Sequence, residues 1–218
     1  MQYFKGQTVP AHKTSIMVHC LATSKQWGEN KSAAAMVKIV HDWHTRDRGW
    51  SAIGYAGIID PTGGFALGRD LDRDGNVLEE TAAAARGWNT NAIHIALAGG
   101  RGSDERDNFS DHYTFQQGDT LRAIIAEINQ IAGRELALMG HNEVAAKACP
   151  GFNVTEWYTY HGTVLTQRDH WHTYHVTMPT QHEPSAPLAV ITDKPSSPWD
   201  AFFADLTASF SSIFGGKK

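Results

Sequence analysis

The segment Gly140-His141-Asn142-Glu143-Val144-Ala145-Ala146-Lys147-Ala148-Cys149-Pro150-Gly151-Phe152 sets an imidazole and a thiol eight positions apart, with a proline directly after the thiol to stiffen the turn. Zinc favours imidazole nitrogen and thiolate sulfur, and a catalytic zinc site takes three protein ligands plus an open position. His141 and Cys149 would supply two of the three. The third must come from elsewhere in the chain, and His19 is the best candidate, at the end of the apolar run Thr14 to Cys20 (TSIMVHC). Taken alone, a histidine in such a run reads as a hydrogen-bonded core residue. Side chains alternate along a strand, so Cys20 points to the opposite face and reads as a small core residue rather than a fourth ligand. The chain carries 12 histidines, more than packing needs, and two cysteines, too few for a disulfide framework.

These residues need elements to hold them. Thr14 to Cys20 is short, β-branched and apolar, the pattern of a buried strand. Ser32 to Arg48 predicts a helix, with Met36, Ile39, Val40 and Trp43 on one face and Gly49 at its C-terminal end. Tyr55 to Asp60 and Phe65 to Leu67 flank a Pro-Thr-Gly-Gly turn and predict a hairpin. Ala92 to Ala98 is a further apolar strand. Arg101 to Asp111 reads as a surface loop, and Thr114 as the N-cap of a helix that lines up Leu121, Ile124, Ile125, Ile128 and Ile131. Glu135 to Met139 predicts a last strand, with a further helix after Asn153. Strands interleaved with helices predict an α/β fold: a mixed central β-sheet flanked by helices.

With these pieces in order, the chain resembles the N-acetylmuramoyl-L-alanine amidase type-2 family, and within it the phage lysozymes. The resemblance is carried by Val18-His19-Cys20 together with the Gly140 to Phe152 segment. Between them come Gly49-Trp50, Ile53-Gly54-Tyr55, Gly68-Arg69-Asp70, Arg86-Gly87-Trp88-Asn89 and Ala98-Gly99-Gly100. It spans roughly Thr14 to Trp157, and several pieces in the family's order weigh far more than any one alone. It implies the peptidoglycan-recognition type of fold, one zinc ion held by His19, His141 and Cys149, and catalytic assistance by Tyr55 and Lys147. The implied reaction is hydrolysis of the amide between N-acetylmuramic acid and L-alanine in bacterial peptidoglycan. Zinc would polarise the carbonyl and make water nucleophilic near neutrality. Lys147 could set a cation beside the developing oxyanion, and Tyr55 could orient water or donate a hydrogen bond. Outside the motif, a loop lysine reads as solvated and a strand tyrosine as packing.

Departures from the family pattern accompany these matches. Ala84 stands where the family commonly has a histidine, which puts a substrate contact in doubt. His94 replaces a common glycine and reads as a packing residue with a hydrogen-bonded ring. Glu143 fits a supporting carboxylate or base as well as a solvated surface residue, and Arg69 and Asp70 fit a cleft or a structural role. His161, His170, His172 and His175 match no ligand spacing. His12, His41, His44, His112 and His182 carry no signal.

Composition excludes other classes. Hydrophobic residues make up 41% and charged residues 19%, a globular balance, and the net charge of −4 offers no global basic field for nucleic acid. The beginning of the chain lacks a signal-peptide apolar run, which predicts synthesis in the host cytoplasm and access to the wall through a holin-type pore or with a virion. The organisation predicted is an amidase domain over 1–175, a linker over 176–198 holding five of the eight prolines, and an amphipathic helix over 199–218. That helix, with Trp199, Phe202, Phe203, Leu206 and Phe210 at helical spacing, suggests a protein partner or self-association. Two other functions compete: a binding module that recognises peptidoglycan without cutting it, and regulation of a phage RNA polymerase, a second role of one phage member of the family. A zinc endopeptidase acting within the stem peptide is the nearest enzymatic rival.

Overall fold

Strand β1, Ser15–Cys20, is buried at all six positions, as a strand must be when it has neighbours on both edges and layers on both faces. The structure, a computed structural model, describes residues 2–164. The linker and C-terminal helix expected beyond position 175 lie outside the described residues, as do His170, His172, His175 and His182.

Four more strands complete one sheet: β2 (Gly57–Ile59), β3 (Phe65–Leu67), β4 (Ala92–Leu97) and β5 (Ala137–Gly140), in the order β3-β2-β4-β1-β5. β1 runs parallel to both β4 and β5, β2 runs parallel to β4, and only the β2–β3 hairpin is antiparallel. The expected α/β architecture with a mixed sheet is therefore the one observed. Helices α1 (Lys25–Gly28), α2 (Ala33–Asp42), α3 (Phe109–His112) and α4 (Phe115–Ala132) lie between the strands, and α5 (Val154–Val164) follows the last of them.

Alternation along β1 divides the interior. Ile16, Val18 and Cys20 join Ile93, Ile95 and Leu97 against Leu121, Ile124, Ile125 and Ile128 of α4 and Trp157 of α5. The other sheet face is shallower. There Ile58, Ala96 and Ala98 pack against Met36 and Val40 of α2, while Met17 packs with Ala85 and Ala92. His19 and Met17 share this second face, because they are two positions apart on one strand.

Local chemistry sets the helix ends. The Thr114 hydroxyl accepts the Gln117 N–H at 3.2 Å, and the Gln117 side chain returns to the Thr114 N–H at 3.0 Å, a reciprocal cap that starts α4 where expected. Gly133 closes it in the left-handed region at φ 65°. Asp60 ties the hairpin to α2, accepting the Ala33 N–H at 2.8 Å and the Gly64 N–H at 2.9 Å.

Two expectations need correction. The segment 101–111 is not wholly loop, since α3 begins at Phe109. The helix expected over 32–48 starts behind its Ser32 cap, but gives way to a π-helical turn over Trp43–Asp47. The wider turn puts residues 36, 40 and 44 in one line. Trp43 is left 37% exposed and His44 is buried in its place.

The packing predicts a contrast. Ile124→Ala, in the centre of α4, should lower stability by about 2–5 kcal/mol, whereas Phe115→Ala, at a position 75% exposed, should change it by no more than about 0.5 kcal/mol. Denaturant titration measures both, and equal losses would contradict this placement of the core.

Candidate metal centre

Parallel pairing brings the three candidate ligands together. Val18 is opposite Gly140 in the β1–β5 register, so the residues that follow them, His19 in β1 and His141 in the turn directly after β5, come together at the C-terminal end of the sheet. Their rings are 4.7 Å apart. Cys149 returns from the loop that follows, and its Sγ lies 3.8 Å from His19 Nδ1. One donor atom from each of His19, His141 and Cys149 lies within 4.8 Å of the others, and all three residues are buried. Two imidazoles and a thiol, converging and shielded, form a donor set that suits zinc.

The loop that delivers Cys149 is fastened at several points. Asn142 donates its backbone N–H to the Cys149 carbonyl at 2.7 Å, and the Tyr113 hydroxyl donates to the Pro150 carbonyl at 2.6 Å. Cys149 Sγ accepts the Cys20 backbone N–H at 3.2 Å. The Cys20 side chain belongs to the larger core, as expected, and is a hydrogen-bond neighbour of Cys149 while remaining outside the three-donor set. Glu143 accepts the Gly140 N–H at 2.7 Å, which makes it a brace for the turn carrying His141.

Tyr55 also reaches the cluster, its ring 5.3 Å from that of His19. Its loop is pinned by Arg69, whose buried guanidinium donates to the carbonyls of Thr81 at 2.6 Å and Ile53 at 3.1 Å, and to the Ser51 hydroxyl at 3.1 Å. The Arg69 backbone N–H donates to the Tyr55 carbonyl at 2.9 Å. Arg69 is therefore structural. Gly54 is required for this approach, because a Cβ there would collide with the Ala83 carbonyl. Lys147 is half-buried on the same loop as Cys149 and close enough to both His141 and Cys149 to alter their titration.

Two histidines without a functional reading in the sequence lie in this neighbourhood. His44 accepts the Gly54 N–H on Nδ1 at 3.0 Å and packs on Tyr55 at a ring distance of 5.5 Å. His94, expected as a packing residue, meets His19 directly, Nδ1 to Nε2, at 2.8 Å. His44 follows Val40 by an i+4 step, but the π turn that turns it inward is not signalled by the sequence. For His94 the sequence offered only its departure from the family's glycine.

Burial dominates the electrostatics. It pushes His44, His94 and His141 down to about 4, with Arg48 adding to the effect at His44 and Lys147 at His141. His19 is also lowered well below its ordinary value, by burial and then by His94 and His141. The hydrogen bond from Cys20, followed by burial, raises the Cys149 thiol. Burial, then the nearby thiols, raises the Tyr55 phenol, and burial lowers the Lys147 ammonium. A neutral imidazole is the form that binds metal, and a cation is what would draw the proton from Cys149.

Among solved structures, the fold is similar to two groups of proteins. The N-acetylmuramoyl-L-alanine amidase LysC from Clostridium intestinale URNW has a TM-score of 0.51 at 23% identity, over 69% of this chain and 86% of that one. The peptidoglycan recognition protein-LE, solved in complex with tracheal cytotoxin, has a TM-score of 0.52 at 16% identity, over 75% of this chain and 87% of that one. The fold is thus the one shared by these amidases and recognition proteins. No protein-family model matches the chain. Among curated proteins, it is 32% identical to the endolysin of Escherichia phage T7 over 155 residues, covering 71% of this chain and 91% of the relative. The endolysin of Klebsiella phage KP32 matches at 32% over 156 residues, with the same coverages. The chain belongs to the T7-type phage endolysins, within the N-acetylmuramoyl-L-alanine amidase type-2 family.

The depressed histidines set a pH dependence. In the unfolded chain they take up protons near 6.5, whereas His44 and His94 in the fold do so only near about 4. Between those values the unfolded state binds more protons, so stability rises with pH there. The contribution is complete above about 6.5 and is lost as pH falls toward about 4. The thermal midpoint of the metal-free protein should fall steadily through that window. A midpoint constant from pH 7 to about 4.5 would show that these rings do not titrate as placed.

Proposed function

We propose that this protein is a zinc-dependent N-acetylmuramoyl-L-alanine amidase that cuts the amide between N-acetylmuramic acid and L-alanine in bacterial peptidoglycan, acting as a phage endolysin. The observation that carries the reading is the buried convergence of His19, His141 and Cys149, in a chain of the endolysin family. Bound there, zinc would supply Lewis acidity toward the scissile carbonyl and lower the pKa of water to about 7.

The remaining roles follow from the side chains. Tyr55, its pKa raised by burial, keeps its proton at neutral pH and acts as a hydrogen-bond donor to substrate or water, not as a phenolate base. Lys147 places a positive charge where an oxyanion develops. Its lowered pKa also suits it to hand a proton to the departing amine. Arg69 and His44 hold the Tyr55 loop in position rather than touching substrate. Glu143 braces the turn carrying His141 by accepting the Gly140 N–H.

A recognition module on the same fold would not need a third donor, and the presence of Cys149 in the cluster favours catalysis. Reaching the wall through a holin-type pore or with a virion belongs to this proposal. Regulation of a polymerase rests on resemblance alone.

Digestion of purified peptidoglycan with mass analysis of the fragments tests the reading. Wild-type protein should release stem peptides beginning at L-alanine, and Cys149→Ser should release none. Chelator should abolish release and added zinc restore it. Fragments cut within the stem peptide would replace this reading with an endopeptidase, and sacculi bound but left intact under zinc-replete conditions would replace it with a binding module. Lys147→Met should lower kcat by about 10²–10³-fold with little change in KM, as for removal of one donor to an oxyanion; single-turnover rates on a soluble muropeptide measure this.

A further inference from the structure

We infer that His94 is a positioning residue for the metal ligands: by accepting the Nε2–H of His19, it locks that ring in the tautomer whose Nδ1 lone pair faces Cys149 and would be available to a cation. The inference rests on the zinc reading of the site and adds a residue to it that neither the motif nor the three-donor set contains.

The tautomers follow from a hydrogen-bond chain with one fixed end. His94 Nε2 is 3.3 Å from the Trp88 carbonyl, which can only accept, so Nε2 carries the hydrogen. In a neutral ring His94 Nδ1 is then bare. That bare nitrogen lies 2.8 Å from His19 Nε2, which must donate. His19 Nδ1 is left with its lone pair directed at Cys149, whose Sγ is 3.8 Å away. The opposite tautomer of His19 would set two lone pairs against each other across that contact. Both rings are fully enclosed, His94 being 0% exposed and His19 1%, so the hydrogen bonds named here are their polar surroundings.

Strand pairing sets up the contact. Met17 pairs with His94 across β1 and β4, which puts His94 on the sheet face that Met17 shares with His19. The Trp88 carbonyl at the far end is itself fixed, since it also accepts the Ala92 N–H at 3.0 Å. A histidine that binds metal through one nitrogen commonly donates its other N–H to a fixed acceptor, which sets tautomer and ring orientation. A glycine at position 94, common in the family, could not provide that acceptor.

The test uses the full-length protein and three variants of position 94. Nitrogen-15 histidine spectra of the metal-free wild type should show His19 as the Nε2–H tautomer. Zinc affinity, measured by competition with a chromophoric chelator, should fall by about 10–100-fold in His94→Phe, which keeps a ring but no acceptor. His94→Asn places an acceptor at the δ position and should recover most of that loss, which a purely space-filling role for His94 would not allow. His94→Gly should bind zinc as weakly as His94→Phe. Circular dichroism identifies any variant that does not fold, and the wild-type spectrum and His94→Asn then decide the matter. An Nδ1–H tautomer in the metal-free wild type, or a folded His94→Phe that holds zinc as tightly as wild type, would overturn the role of His94 alone. A wild type that takes up no zinc would overturn the metal reading itself, and this inference with it.

Discussion

The parallel pairing of β1 with strands on both sides is the constraint on which the site depends. It fixes which residues reach the C-terminal edge of the sheet together, and it does so with backbone hydrogen bonds that are indifferent to the chemistry above them. A slip of one residue between β1 and β5 would carry His19 to the opposite face and separate it from His141. The large apolar layer against α4 prevents that slip, because Ile16, Val18 and Cys20 would have to leave the core with it. Core packing and ligand alignment are thus one requirement expressed on alternate residues of the same strand.

Around the cluster, fixed dipoles do the work that water would do elsewhere. The Cys20 N–H points at the Cys149 sulfur, and the Gly54 N–H points at His44. Arg69 donates to the Ile53 carbonyl of the loop leading to Tyr55 and to the Thr81 carbonyl of a second segment. Charge-assisted bonds of this kind hold a loop more tightly than neutral ones. The groups proposed to act on substrate therefore sit on segments that have little freedom to rearrange, which reduces the reorganisation needed when charge develops.

Much of this was legible in the sequence, and the limits of legibility have physical causes. Periodicity located β1, β4 and α4 because each buries a continuous apolar surface, and Thr114 announced its helix through a local cap that needs no tertiary context. The His19, His141 and Cys149 set was readable because a motif spaced along the chain stood in for a distance in space. The inward turn of His44 was not readable, since a π turn adds a residue that a helical wheel does not anticipate. His94 was legible only as a departure, because its partner is 75 positions away and the contact exists only once β1 and β4 are paired. The choice for Arg69 between cleft and scaffold likewise depended on where loop carbonyls fall after folding.

The two margins of the sheet carry a consequence of a different kind. β3 has three residues and β5 four, and each is the outermost strand on its side. Beside β5 the Thr155 hydroxyl also takes the Leu138 carbonyl at 3.0 Å. An incoming chain would find only a rung or two of unpaired backbone on either side. A sheet whose two longest strands, β1 and β4, are six residues long and mostly apolar thereby ends in borders too brief to template further growth. That brevity guards the described domain against self-association through its strands.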